Sequence, residues 1–132
     1  MRALSIVNPA GSRIASGRKT IEVRRWRPDL PPGEDLLIVE NGRFLMEDGD
    51  EDPDGRVVAI VRVGAVRPWT ADDLEASCAT GFEAGWLAWE LYDVRPVTSA
   101  TPVLAARRLY DLTLPADARI GAALESPWPA RR

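Results

Sequence analysis

Residues 20–26 constrain the fold most, because apolar and polar side chains alternate along them after a turn signal at Gly17. In a strand, an isoleucine and a valine would lie on one face, and Glu22 and Arg24 would lie on the other. A period of two is typical of a half-buried β-strand. The two charged groups would lie about 7 Å apart along its polar face. Lys19 immediately precedes the strand, and we expect it at the mouth of that face.

Lys19 is the only lysine of the chain, which carries arginine at every other basic position. A lysine ammonium is compact and can lose its proton when it is desolvated, which an arginine does not do. The residue is therefore either retained for chemistry or a chance survivor on a solvated turn. The sequence leaves both interpretations open.

Charge is distributed unevenly along the 132 residues, which are enough for one domain with a sizeable core. The formal net charge is −3, which argues against a uniformly basic coat for nucleic acid. Residues 13–27 nevertheless carry six basic side chains and the single acid Glu22. Residues 47–54 carry six acids and no base. We therefore predict a positive face and a separate acidic loop.

The amino-acid composition excludes several kinds of functional site. Because there is no histidine, His-based triads, His metal sites and imidazole acid–base catalysis are excluded. The lone Cys78 cannot form an internal disulfide, which fits a reducing compartment. Residues 50–55 match the first half of an EF-hand calcium loop, but Val61 stands where that loop needs a glutamate. We expect neither a metal nor a cofactor.

No apolar run approaches the ~18 residues that span a bilayer. The first residues pass directly into a strand pattern, without the apolar core of a signal peptide. The sequence thus predicts a cytoplasmic protein with no membrane partner.

Two short helices are expected among the strands. One begins with Asn8 as its N-cap, has Pro9 at its first position and ends at Gly17. The other begins at Thr70, which is followed three residues later by an acid in a capping pattern, and runs to about Cys78. The predicted strands are residues 3–7, 20–26, 35–40, 56–66, 86–94 and 109–114.

Short strands separated by turn residues predict an α+β fold. The fitting architecture is a small, mostly antiparallel β-barrel of about six strands with short flanking helices. Residues 36–39 are apolar throughout and should be buried on both sides. Residues 44–46 would continue that strand, and residues 47–55 would form a solvated acidic loop. Residues 115–132 would be a loosely docked extension with one helical turn at 120–124.

Several stretches together resemble a known family. One is Gly17-Arg-Lys-Thr-Ile-Glu-Val-Arg, a Gly-x-Lys-x-x-Glu-x-Arg motif that follows a predicted strand and short helix. With the other stretches it resembles the ASCH domain, named for homology to activating signal cointegrator 1, of the PUA-like superfamily. The resemblance covers roughly residues 2–114 and predicts an ASCH/PUA-like domain over 1–114. The other stretches are residues 3–9, 36–39, 57–63, 86–91, 95–96, 102–103 and 109–110.

The resemblance implies a cleft lined by the motif that binds RNA or a nucleotide. Clustered arginines would contact phosphates, and Trp26 could stack on a base. Trp69 is a further stacking candidate, as are Trp86 and Trp89, although each also suits the core. The expected ligand-binding residues are Arg18, Lys19, Thr20, Glu22, Arg24, Arg25, Trp26 and Trp69.

The resemblance also implies a second function, because one PUA-like branch removes acetyl groups from N4-acetylcytidine. Its catalytic lysine, threonine and glutamate fall on Lys19, Glu22 and Glu83. The chain has a carboxylate at Glu22 where that branch has a hydroxyl. In a catalytic cleft Glu22 or Glu83 would transfer protons, and Lys19 or Arg24 would hold an oxyanion or a phosphate. A hydrolase of RNA or of a modified nucleoside is therefore one alternative, and a protein-interaction module is another.

Overall fold

The fold is taken from a computed structural model, which describes residues 1–129. Within this range, no helix is both long enough and apolar enough to cross a membrane. A single 3₁₀ turn, Ala71–Asp73, precedes the second helix. The elements in chain order are β1 (Arg2–Val7), α1 (Ala10–Ala15), β2 (Ile21–Arg24), β3 (Leu36–Asn41), β4 (Glu51–Pro68), α2 (Leu74–Ser77), β5 (Leu87–Thr98), β6 (Val103–Ala106), β7 (Leu109–Asp111) and β8 (Arg119–Ile120).

The strands form one twisted, barrel-like sheet with the order β2-β5-β4-β3-β1-β7. β6 pairs with β4, and β8 pairs with β5. The described residues thus contain eight strands rather than about six. The prediction of a mostly antiparallel α+β sheet is confirmed, since only β1 and β3 pair in parallel among the described ladders. Strands β2 and β7 stand at the two ends of this order.

β3 lies at the centre of the core. Leu36 and Ile38 belong to one cluster of buried side chains, while Leu37 and Val39 belong to a second. Successive side chains of a strand point to opposite faces, so an apolar run is stable only where both faces are covered. The prediction that this strand is buried on both sides is confirmed.

The two helices begin differently from each other. The prediction of Asn8 as the first N-cap is wrong, because Pro9 occupies that position and no side-chain cap bond forms there. Glu40 of β3 instead accepts hydrogen bonds from the backbone N–H and the hydroxyl of Ser12, at 2.6 and 2.8 Å. The predicted capping box at Thr70 is present, but it opens the 3₁₀ turn. Gly17 follows the first helix with a φ of +82°, as its role at the helix end requires.

The acidic stretch is shorter as a loop than predicted. β4 already begins at Glu51, because its first residues pair with β6: Glu51 lies opposite Ala106 and Asp52 opposite Ala105. The predicted strand at 44–46 does not form. The loop between β3 and β4 therefore comprises residues 42–50.

The predicted helical turn at 120–124 is wrong, since this part of the chain pairs with β5. Val97 lies opposite Ile120 in β8, and Leu124 donates its N–H to the Val94 carbonyl at 2.8 Å. Trp128 then donates its indole N–H to the Leu91 carbonyl at 3.0 Å. Residues 119–128 thus follow β5 along much of its length. The last part of the predicted extension, residues 130–132, lies outside the described residues.

Candidate functional site

The motif places a buried carboxylate between two cations. Glu22 on β2 is 5% exposed, and its Oε2 accepts from Arg24 Nε at 2.9 Å and contacts Arg24 Nη2 at 2.8 Å. Its Oε1 lies 3.3 Å from Lys19 Nζ. Arg24 also donates from Nη2 to the Ser5 carbonyl of β1 at 3.2 Å. The alternation in β2 therefore brings Glu22 and Arg24 to the same face, as predicted.

Two opposing effects act on the pKa of Glu22. Burial by itself raises the pKa, because it penalises the charged form. Arg24 and then Lys19 act in the opposite direction, through their positive charges and their hydrogen bonds. The net result is a pKa below the ordinary value, so Glu22 is ionised near neutral pH.

Lys19 is not at the mouth of the cleft, contrary to the prediction. It is 7% exposed, and its Nζ donates to the Ser77 carbonyl at the end of α2, at 2.9 Å. With Thr20 it lines a second, open cavity of about 330 Å³, which β5 and the segment 124–127 also line. The burial arises because Thr20 N–H donates to the Ala76 carbonyl, which ties the start of β2 to α2.

A cleft of about 580 Å³ lies on the other side of Glu22. β1, β2, the 42–50 loop, the residue before β5 and the turn between β6 and β7 surround it. Among the described residues that line it, Glu22 is the one acid. The basic lining residues are Arg24, Arg25, Arg43, Arg107 and Arg108, and the aromatic ones are Trp26, Phe44 and Trp86.

Two arginines lie over the tryptophans of this cleft. The guanidinium of Arg108 is 4.5 Å from the centre of the Trp26 ring, and that of Arg25 is 4.4 Å from the Trp86 ring. Both arginines are exposed, and both tryptophans are half-buried. Arg108 adopts a φ of +59°, in the left-handed region that few non-glycine residues occupy. Such geometry often marks functional positions.

Two further arginines of the cleft are paired with acids of the 42–50 loop. Arg43 Nη1 donates to both carboxylate oxygens of Asp50, at 3.1 and 3.2 Å. Arg107 Nη1 donates to Asp48 at 2.9 Å. The acidic loop thus contacts arginines of the cleft that lie outside the basic stretch 13–27, and its separation from that stretch stays a prediction.

Comparison with known proteins identifies the family. Residues 4–101 match the ASCH domain. The chain belongs to the ASCH domain family. No curated protein matches the chain.

Solved ASCH structures from Zymomonas mobilis share the fold. A serine-to-alanine variant is 18% identical with a TM-score of 0.56, and the alignment covers 85% of this chain and 87% of the other. The structure of the protein titled simply as ASCH is 17% identical with a TM-score of 0.53, covering 81% and 87%. A tyrosine-to-phenylalanine variant is 19% identical with a TM-score of 0.52, covering 76% and 74%. At this identity the likeness concerns the fold alone.

The ASCH domain does not gather all the predicted site residues in one place. Trp69 is a core residue, whose indole N–H donates to the Ser77 hydroxyl at 3.3 Å, and it does not line the cleft. Arg18 is exposed outside the cleft, and Thr20 lines the second cavity. Glu83 also lies outside the cleft, with its carboxylate 3.6 Å from Arg25. Of the eight predicted ligand-binding residues, the cleft contains Glu22, Arg24, Arg25 and Trp26.

The sequence reasoning missed several residues of the cleft. Arg43 and Phe44 follow the Asn41-Gly42 turn, and Arg107 and Arg108 form a second short turn. The one available signal in the sequence was the arginine pair between β6 and β7. A pair of arginines at a strand connection does not by itself show which part of the fold that turn lies against. Within residues 1–129, no group of three or more Asp, Glu or Cys side chains is placed to hold a metal ion.

Proposed function

We propose that the ASCH domain binds single-stranded RNA, or a nucleotide unit of it, in the 580 Å³ cleft. Family membership supports a general RNA-binding role. The observation that carries the proposal is the lining itself, in which five arginines and three aromatic rings surround one carboxylate. The volume lies within the roughly 300–1,000 Å³ of small-molecule sites.

The arginines supply the electrostatic part of recognition. An arginine guanidinium has five N–H donors in a planar fork, which matches a phosphate group. Glu22 and the Ser5 carbonyl hold Arg24 through its Nε and Nη2 atoms, which fixes its orientation before a ligand arrives. The other donors of this guanidinium are then available to a phosphate. We expect moderate, salt-sensitive affinity, because the net charge of the chain is −3.

The aromatic rings supply the part that favours single strands. Bases of a single strand can stack on aromatic side chains or on arginine planes, whereas those of a duplex are already stacked. Arg108 over Trp26 and Arg25 over Trp86 offer two such surfaces. Phe44 at the rim is 72% exposed and offers a third. A cleft with several stacking surfaces suits at least one splayed-out base.

The hydrolase alternative has less support from the geometry. Its three candidate residues are dispersed, with Lys19 lining the second cavity, Glu22 in the cleft and Glu83 outside both. Lys19 and Glu22 are close together, but their polar atoms are engaged with each other, with Arg24 and with the Ser77 carbonyl. We therefore propose a structural role for Lys19 and Glu22, and we assign ligand binding to Arg24 and to the other arginines and the aromatic rings of the cleft.

The test is a fluorescence titration at low salt with a labelled ten-nucleotide oligouridylate. Arg108→Asn is the informative variant, because asparagine tolerates a left-handed backbone and the fold should be unaffected. The loss of one cation and one stacking plane should weaken binding roughly fivefold or more. Arg119→Asn is the matched control, since Arg119 is exposed on β8, outside the cleft. It should change binding less than about twofold, as an exposed charge away from the ligand contributes little.

Two results would contradict the proposal. Equal losses in the two variants would show that net charge, and not the cleft, governs binding. Absence of binding by the wild type would overturn RNA recognition and favour the interaction module. Mass analysis of the RNA and of added N4-acetylcytidine distinguishes binding from hydrolysis, because a product that requires Glu22 would establish the enzyme.

A further inference from the structure

We propose that Arg43 and Arg107 form a second phosphate subsite of the cleft, which Asp48 and Asp50 occupy when no RNA is bound. The inference rests on the proposed function, since the ligand is the sugar–phosphate backbone of the same RNA. It adds residues that neither the motif nor the family match assigns, and it gives the acidic 42–50 loop a role in binding.

Arg43 binds the Asp50 carboxylate in a way in which it could also bind a phosphate group. Its Nη1 faces both oxygens of Asp50, and its Nη2 donates to the Glu51 carbonyl at 2.6 Å. Both bonds to Asp50 come from Nη1, and guanidinium N–H groups donate to phosphate oxygens as they do to carboxylate oxygens. The carbonyl bond anchors one side of the guanidinium independently of Asp50. Exchange of the carboxylate for a phosphate can therefore leave Arg43 in place.

The contact of Arg107 can be displaced with little loss. Its partner Asp48 has a side chain that is 99% exposed, whereas the Arg107 side chain is 34% exposed. Exposed ion pairs contribute about 0–1 kcal/mol, because water and salt compete with them. A polyanion that already contacts the cleft competes at high effective concentration. Asp48 thus neutralises Arg107 in the free protein without blocking access to it.

The position of the loop connects this exchange to the cleft. Arg43 and Phe44, which belong to the loop, line the same cleft as Arg107 and Arg108. A phosphate at Arg43 would put the adjoining base near the exposed Phe44 ring. The subsite therefore extends the binding surface from the tryptophans toward the rim, where a second nucleotide of the same strand would lie.

Asp48 is the better of the two acids to change. Asp50 also accepts the Met46 backbone N–H at 3.2 Å, so its loss would disturb the loop itself. Glu47 gives a matched control, because it is an exposed neighbour for which the described residues show no ion pair. Asp48→Asn and Glu47→Gln remove the same charge from adjacent positions. Because both variants change the net charge equally, a difference in RNA affinity between them cannot come from net charge.

The experiment measures the Kd of the ten-nucleotide oligouridylate for the wild type, D48N and E47Q at low salt. If Asp48 competes for the subsite, D48N should bind about two- to fivefold more tightly than E47Q, the range expected from an exposed ion pair. In an Arg107→Ala background, the advantage of D48N over E47Q should disappear. Arg107→Ala alone should reduce the slope of log K against log[salt] by about 0.7, the value for one phosphate contact on a single strand.

Each outcome decides the matter. Equal affinities of D48N and E47Q, with RNA binding intact, would overturn the subsite and leave the proposed function standing. An advantage of D48N that persists without Arg107 would likewise overturn it, because the competition would not act through that residue. Failure of all variants to bind RNA would overturn both proposals.

Discussion

Replacing Glu22 by glutamine tests whether the motif stabilises the fold. The Lys19 and Glu22 side chains are 8% and 6% exposed, and their polar atoms are 3.3 Å apart. At an effective dielectric constant near 20, two unit charges at that distance attract by about 5 kcal/mol. Removal of one partner of a buried pair typically costs about 3–5 kcal/mol, because the other charge stays buried. Arg24 is 25% exposed and can reach water, so most of the cost falls on Lys19.

We expect Glu22→Gln to lower the free energy of unfolding by about 3 kcal/mol, a large part of the about 5–15 kcal/mol of a typical domain. Urea denaturation followed by tryptophan fluorescence measures it, and the midpoint should fall by about 1–2 M. Glu83→Gln is the control, since the Glu83 side chain is 72% exposed, and it should change the free energy by less than about 0.5 kcal/mol.

The pH dependence of the Glu22→Gln effect follows from the lowered pKa of Glu22. A carboxyl with a folded pKa below its unfolded value of 4.5 stabilises the fold above that value. The contribution is lost as the pH falls through the lower folded pKa. The difference between wild type and E22Q should therefore be constant near neutral pH and should decrease below about pH 4.5.

A double variant gives the result that would refute this reasoning. Lys19→Met with Glu22→Gln removes both charges and replaces the lysine with an apolar side chain of similar length. The double variant leaves no unpaired lysine charge in the core, although the Ser77 carbonyl loses its donor, so K19M/E22Q should regain half or more of the stability that E22Q loses. A double variant no more stable than E22Q, or an E22Q loss under about 1 kcal/mol, would show that the buried charge is not what matters.

Two other predictions concern stability. Arg67 donates two hydrogen bonds to Asp73, at 2.8 and 2.9 Å, and the pKa of Asp73 is lowered to about 2. Wild type should therefore lose stability between about pH 4 and pH 2 in acid titrations followed by circular dichroism, and Asp73→Asn should show a smaller loss over that range. A Cβ on Gly55 would lie 2.9 Å from the Val103 carbonyl oxygen, so Gly55→Ala should cost about 1–3 kcal/mol in urea denaturation. Gly42→Ala, where the added carbon meets open space, should leave the urea midpoint nearly unchanged, and equal midpoints for the two alanines would contradict the steric argument.

The sequence predicted two kinds of element correctly. One is an element that its own neighbouring residues stabilise, and the other is a strand that is buried on both faces. The apolar run of β3 and the capping box at Thr70 needed no knowledge of distant residues. The first residues of β4 could not be predicted, because six acids between 47 and 54 indicate a solvated loop. They form a strand because Glu51 and Asp52 pair with β6, about 50 residues further along the chain. The same holds for β8, which is a strand only because β5 offers it an edge.

The same distinction between local patterns and distant contacts applies to the residues of the site. Alternation placed Glu22 and Arg24 on one face of β2, but it carried no information about what covers that face. Lys19 is buried because the start of β2 is tied to α2, where the Ser77 carbonyl, 58 residues away, accepts its hydrogen bond. The arginines of the rim lie in two connections that become neighbours through the pairing of β1 with β3 and β7 and of β4 with β6. A motif that is recognisable in sequence can therefore specify the wall of a site and one of its arginines, while most of the other groups that meet the ligand come from loops without a local pattern.

That division makes stability and binding separable by mutation. Substitutions of the buried Lys19, which lies outside the cleft, should lower the free energy of unfolding and affect RNA only as the folded fraction falls. Substitutions at the rim, such as R108N and D48N, should change RNA affinity and leave the urea midpoint unchanged, because these side chains are exposed. A Lys19 variant that stays fully folded but no longer binds RNA would contradict this separation, and Lys19 would then have to be counted as part of the binding surface.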